Sequence, residues 1–122
     1  MKFTLRIKKN KVLKYVLKNG EWKKGKYIIV HCCKTKYKID NIDKCKNFFA
    51  VCVSKKNGNS VKRNKLKRWA RESYKINEDK LLKGYNIVIL YKKNSTTDSL
   101  DFKKINDDFL NCTRELGIYE NF

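Results

Sequence analysis

The 122-residue chain has no proline, a single histidine, and only 12 acidic residues against 31 lysines and arginines. It has no stretch approaching the roughly 18 apolar residues of a membrane span. Its start, "MKFTLRIKKNK", has no apolar segment of the kind that marks a secretory signal. The five cysteines (32, 33, 45, 52 and 112) are odd in number and form no CxxC pair. That spacing fits neither a disulfide framework nor a zinc site, and His31 is the only nitrogen ligand on offer. Free thiols point to a reducing cytoplasm. There is no Walker-type glycine loop, since "KKNGNS" holds one glycine. The carboxylate pairs Asp40/Asp43, Asp98/Asp101 and Asp107/Asp108 lie apart, in loops or on helix faces. They do not gather as two-metal nuclease chemistry requires. Absent proline with abundant Lys, Asn and Ile indicates an AT-rich coding bias. Lysine is then partly background, and the five arginines carry more information.

What the chain has in excess is positive charge, a formal +19. A chain this size repels itself unless a polyanion neutralises it, nucleic acid first and an acidic membrane surface second. Its length fits one domain over residues 1–122. "NKVLKYVLKNG" reads as a short helix that Asn10 caps and Gly20 ends. Residues 26–33 read as a strand with Tyr27, Ile29, His31 and Cys33 on one face. "NFFAVCVSKK" is a second strand, with Phe49, Val51 and Val53 opposite Ala50, Cys52 and Ser54. A turn is expected at "DNIDK" and a minor helix over 77–83. "YNIVILY" is a third strand, and a last helix is capped by Ser99 and ended by Gly117. The expected fold class is α+β: a two-layer sandwich, helix–strands–helix–strand–helix, around one small sheet.

The densest charge lies in "NSVKRNKLKRWARESYK", residues 59–75, which holds three of the five arginines and one carboxylate, Glu72. Wound at about 100° per residue, it gathers Leu66, Trp69, Ala70, Ser73 and Tyr74 into one apolar sector able to sit on a sheet. Asn64, Lys65, Lys67, Arg68, Arg71 and Lys75 form a continuous basic sector. Lys62 and Arg63 fall in the first turn, where side chains escape past the end of the sheet. Each like-charge i,i+4 pair costs a few tenths of a kcal/mol, and cations in the first turn oppose the helix dipole. A phosphate backbone reverses the sign of those costs. A membrane-surface helix needs its apolar face free, and a helix-turn-helix needs a helix where a strand precedes this one. The pattern favours RNA over DNA.

"VSKKNGNSVKRNKLKRWARESY", residues 53–74, closely resembles the signature of the bacterial ribonuclease P protein subunit. The residues that carry the likeness are Ser54, Lys55, Lys56, Gly58, Val61, Arg63, Asn64, Lys67, Arg68, Arg71 and Glu72. "RIKKN" and the first helix also fit, so the likeness covers roughly residues 6–116. The resemblance implies a ribosomal-protein-like fold with a left-handed β-α-β crossover. It implies a subunit that pairs with a catalytic RNA to remove the 5′ leader of precursor tRNA. The RNA and its Mg2+ would perform the hydrolysis, so the chain alone is expected to be non-catalytic and to hold no metal.

The RNA-binding set implied is Lys55, Lys56, Lys62, Arg63, Asn64, Lys65, Lys67, Arg68 and Arg71. The expected leader cleft, between the first helix and the sheet, comprises Leu13, Leu17, Tyr27, Ile29, His31, Ala50 and Cys52. Where this chain has Lys65 the family pattern has arginine, and aromatics often stand where it has Leu13, Leu17 and His31. That implies a looser phosphate contact and weaker base stacking. From the residues alone, the small face of Ala50, Cys52 and Ser54 is either a nucleotide floor or core covered by the first helix. Trp69 is expected to anchor the core, and no acid is placed to make His31 a catalytic base. A ribosomal-type RNA-binding protein and a protein-only nuclease are the rival readings. No membrane association and no protein oligomer are expected.

Overall fold

The computed structural model describes residues 3–35 and 46–120. Its main elements, in chain order, are β1 Thr4–Arg6, α1 Asn10–Asn19, β2 Glu21–Lys24, β3 Ile28–Lys34 and β4 Asn47–Cys52, then α2 Ser60–Asn77, β5 Tyr85–Tyr91 and α3 Phe102–Glu115. The strands form one mixed sheet in the order β1-β4-β5-β3-β2. β4 is parallel to both β1 and β5, while β3 is antiparallel to β5 and β2. Because β4 and β5 are parallel neighbours, α2 is the crossover between them, the unit for which the family resemblance implies the left hand.

The α+β sandwich is the expected one, with differences at its edges. β1 and β2 were not expected from the sequence. They are three and four residues long, and every residue of β2 is exposed, so neither carries a burial pattern to read. The helix expected over 77–83 does not form. α2 runs on to Asn77, a 3-10 turn covers Glu78–Lys80, and Leu81 pairs with Tyr119. Asn10 lies inside α1 rather than capping it, and Lys9 occupies the cap position without a side-chain bond. Ser99 is not the cap of α3. Asp101 is, accepting from the Lys104 N–H at 2.8 Å. The expected turn at 40–44 lies outside the described residues.

One face of the sheet carries the main core. Ile28, Val30 and Cys32 of β3, Ile87, Ile89 and Tyr91 of β5, and Phe49 of β4 pack against Leu66, Ala70 and Tyr74 of α2 and Ile105, Phe109 and Cys112 of α3. The Phe49 and Tyr74 rings stack at 4.2 Å, and the Tyr91 hydroxyl donates to the Leu66 carbonyl at 2.6 Å. α2 and α3 are joined where Ser73 Oγ and Asn77 Nδ2 both donate to Asn106 Oδ1, at 2.8 and 2.9 Å. α1 crosses the opposite face, over β3 and β5. There Val16 and Val88 are fully buried outside the main cluster.

Asp108 ties α3 to the β2–β3 turn. Its buried carboxylate accepts the backbone N–H groups of Lys26, Tyr27 and Ile28 at 2.8, 2.9 and 3.0 Å. Gly25 is required beside it, because a Cβ there would lie 2.3 Å from Asp108 Oδ1. Tyr27 lies just before β3, so strand alternation does not reach it. It packs against the main core cluster instead of joining the α1 face, contrary to expectation. His31 is buried on the α1 face, directly opposite Val88. Burial lowers its pKa from the usual 6.5, and its Nδ1 has no hydrogen-bond partner.

Two outcomes follow for stability. Asp108→Ala strands three N–H donors and removes a charge-assisted anchor, so urea denaturation should show a loss of roughly 2–5 kcal/mol. Wild-type stability there would contradict the tie. The unfolded chain protonates His31 before the folded one does, so stability rises with pH from the lowered folded value up to about 6.5. It is correspondingly lost as pH falls below about 6.5. The imidazole proton signals, from the only histidine in the chain, should titrate below the unfolded value, and a normal or raised pKa would contradict the burial.

Candidate nucleic-acid interface

The basic stretch becomes the two-sided helix its periodicity predicts. Leu66, Ala70, Ser73 and Tyr74 are fully buried, while Asn64, Lys65, Arg68, Arg71 and Lys75 are exposed. Lys62, Arg63 and Lys67 are half-buried at the margin, and the Arg63 Nε has no hydrogen-bond partner. Trp69 packs against the core as expected of an anchor, but its outer ring face lies 5.2 Å from Lys65 Nζ, a cation–π contact. No acidic residue occupies the first turn of α2. Lys62 lies 3.5 Å from Asp98, an exposed pair worth little in water.

The entry to α2 is rigidly built. Lys55 and Lys56 sit exposed on a 3-10 turn closed by Asn57, whose side chain is buried. Asn57 Nδ2 donates to the carbonyls of Lys92 and Ser95, both at 2.8 Å, and its Oδ1 accepts the Ser54 N–H at 2.9 Å. Gly58 then takes φ +128°, a conformation that side chains rarely adopt, and Asn59 caps α2 by accepting the Lys62 N–H at 2.9 Å. One buried amide thus ties the lysine-bearing turn to the segment just after β5, ahead of the helix that Asn59 caps. Asn57 opens the "NGN" stretch that leads into α2. That its first residue is a buried clasp was not readable, because the partners are 35 and 38 residues away.

The α1 face of the sheet is open in part. Directly paired residues share a face, which places Trp22, His31, Val88 and Ala50 in one row. Lys24, Ile29, Leu90 and Cys52 form the next. His31 and Val88 are buried, whereas Ile29, Leu90, Ala50 and Cys52 remain half-exposed. Leu13 and Leu17 of α1 are also half-exposed. The structure therefore brings Leu13, Leu17, Ile29, Ala50 and Cys52 to one side of the sheet, with His31 beneath them and Tyr27 apart.

The basic helix adjoins this floor. β1 pairs with β4 only at Asn47, Phe48 and Phe49, which leaves the Ala50–Cys52 end of β4 unpaired on that side among the described residues. Burial raises the Cys52 pKa, and the Lys67 charge pulls it partly back. Among the described residues, no three His, Cys, Asp or Glu side chains gather into a group able to hold a metal ion. No helix there is long and apolar enough to cross a membrane.

Comparison with known proteins agrees with this geometry. The Ribonuclease P family model matches residues 1–117. The ribonuclease P protein component of Clostridium botulinum (strain 657 / Type Ba4) is 38% identical over 115 residues, covering 93% of this chain and 96% of that one. That of Natranaerobius thermophilus is 30% identical, covering 89% and 87%. Among solved structures, the Staphylococcus aureus RNase P protein matches with a TM-score of 0.75 at 26% identity, covering 94% of this chain and 97% of that one. The Thermotoga maritima RNase P protein gives 0.72 at 25% identity, covering 87% and 92%. With a basic helix seated on a mixed sheet and a half-open floor beside it, the chain belongs to the ribonuclease P protein component family.

Proposed function

We propose that this chain binds the catalytic RNA of ribonuclease P and guides the 5′ leader of precursor tRNA, so that the assembled enzyme cuts the leader from the mature 5′ end. The observation that carries this reading is the cationic surface of Lys55, Lys56, Lys65, Arg68 and Arg71, with Asn64 among them, exposed on a rigidly held turn and helix. Phosphates packed along it relieve the mutual repulsion of these side chains. Arg68 and Arg71 supply planar forks suited to phosphate oxygens, whereas Lys65, held over Trp69, offers a point charge. Lys62 and Arg63 extend the surface at the start of α2, and Lys67 leads from it to the floor.

On that floor, Leu13, Leu17, Ile29, Ala50 and Cys52 give a mildly apolar track for unpaired nucleotides. His31 lies underneath as support and is not a catalytic base. The chain's contribution is to bind, orient and neutralise. Phosphodiester hydrolysis belongs to the RNA subunit and the Mg2+ it holds, in the bacterial cytoplasm.

Replacing Arg68 and Arg71 together with Ala should weaken binding to the ribonuclease P RNA and flatten its salt dependence. The log–log slope should fall by roughly 0.7–0.9 for each lost phosphate contact. An unchanged slope would remove this helix from the interface. The protein with Mg2+ and precursor tRNA should give no site-specific cleavage until the RNA subunit is added, and cleavage without it would overturn the division of labour.

A further inference from the structure

We propose that Trp22 is a base-stacking platform that carries the single-stranded leader past α1 and onto the edge strand β2. Trp22 is 59% exposed, on a strand whose four residues all face solvent. An indole held in water on a short edge strand forfeits the burial that makes tryptophan stabilising. Its position is nonetheless fixed. It pairs directly with His31, in the row that continues through Val88 to Ala50. Trp22 therefore shares a face with the half-open floor, at the margin farthest from Lys67.

The charges around it identify the occupant. The tip of the β2–β3 hairpin carries exposed Lys24 and Lys26, and Asp108 clamps its backbone through the N–H groups of Lys26, Tyr27 and Ile28. Lys23 points elsewhere, to Glu115 at 2.9 Å. A flat π-surface flanked by cations on a rigid hairpin is the arrangement on which unpaired bases stack, while their phosphates meet the lysines. A leader crossing from Cys52 over Leu90 and Ile29 reaches Trp22 and Lys24 at the sheet edge.

This inference rests on the leader-guiding reading above, and the test separates the two. The reconstituted protein–RNA enzyme is titrated with precursor tRNAs whose leaders lengthen one nucleotide at a time, and with leaderless tRNA. Wild type should gain affinity as the leader grows. Trp22→Ala should lose roughly 5- to 100-fold, but only for leaders long enough to reach the edge strand, with leaderless tRNA unchanged. Trp22→Phe should restore most of the loss. If wild type gains affinity with leader length and Trp22→Ala gains it equally, the platform is wrong and the leader-guiding reading stands. If wild type gains nothing from any leader, both fail. A self-association of the free protein that Trp22→Ala abolishes, with leader affinity intact, would instead assign the indole to a protein contact and overturn the proposal.

Discussion

The seating of α2 on the sheet is the contact on which the rest depends. Leu66, Ala70 and Tyr74 are buried without remainder against β4 and β5, and Tyr74 stacks on Phe49. Each large apolar side chain so buried contributes about 1.5–3 kcal/mol. Like-charge neighbours on the outer face cost only a few tenths each. The apolar side therefore decides that the helix forms and how it is rotated, and the cations are held outward at a standing electrostatic cost. Such a helix is preorganised for a polyanion: binding removes the repulsion without having to order the chain.

The same economy appears at the two ends of the surface. Asn57 is a polar side chain fully removed from water, yet its Nδ2 donates to the Lys92 and Ser95 carbonyls beyond β5 and its Oδ1 accepts from the N–H and hydroxyl of Ser54. Asp108 does likewise for the β2–β3 hairpin, its buried charge matched by three N–H donors. Buried polar groups of this kind are stabilising only when fully paired. Here each fixes a lysine-bearing turn, Lys55–Lys56 in one case and the Lys24–Lys26 hairpin in the other. The cationic surface is thus carried on a backbone fixed at both ends.

The helical period of residues 61–75 and the β-branched runs at 26–33 and 85–91 were legible in the sequence, because burial imposes a repeat on them. The apolar and basic sectors of α2 came out side by side as that repeat requires. β1 and β2 were not legible, since their ladders are made by backbone groups and their side chains are largely exposed. Tyr27 was misplaced by one step, because Asp108, 81 residues away, ends the alternation before it. Whether α1 covers the small-residue face or leaves a floor was open from composition. The answer is partial: Val88 and His31 lie under the helix, and Ile29, Leu90 and Cys52 lie beside it. The roles of Asn57 and Trp22 depend on tertiary placement that no local pattern encodes.

The central claim is that RNA lies along the outer sector of α2 and crosses onto the floor beside Lys67. Ultraviolet cross-linking of the complete protein–RNA enzyme with precursor tRNA, followed by mass spectrometry of the linked peptides, tests it most directly. Cross-links should concentrate in residues 53–75 and in β3 and β4, with the outward face of α3 unmodified. Cross-links gathered on α3 with residues 53–75 unmarked would contradict the account.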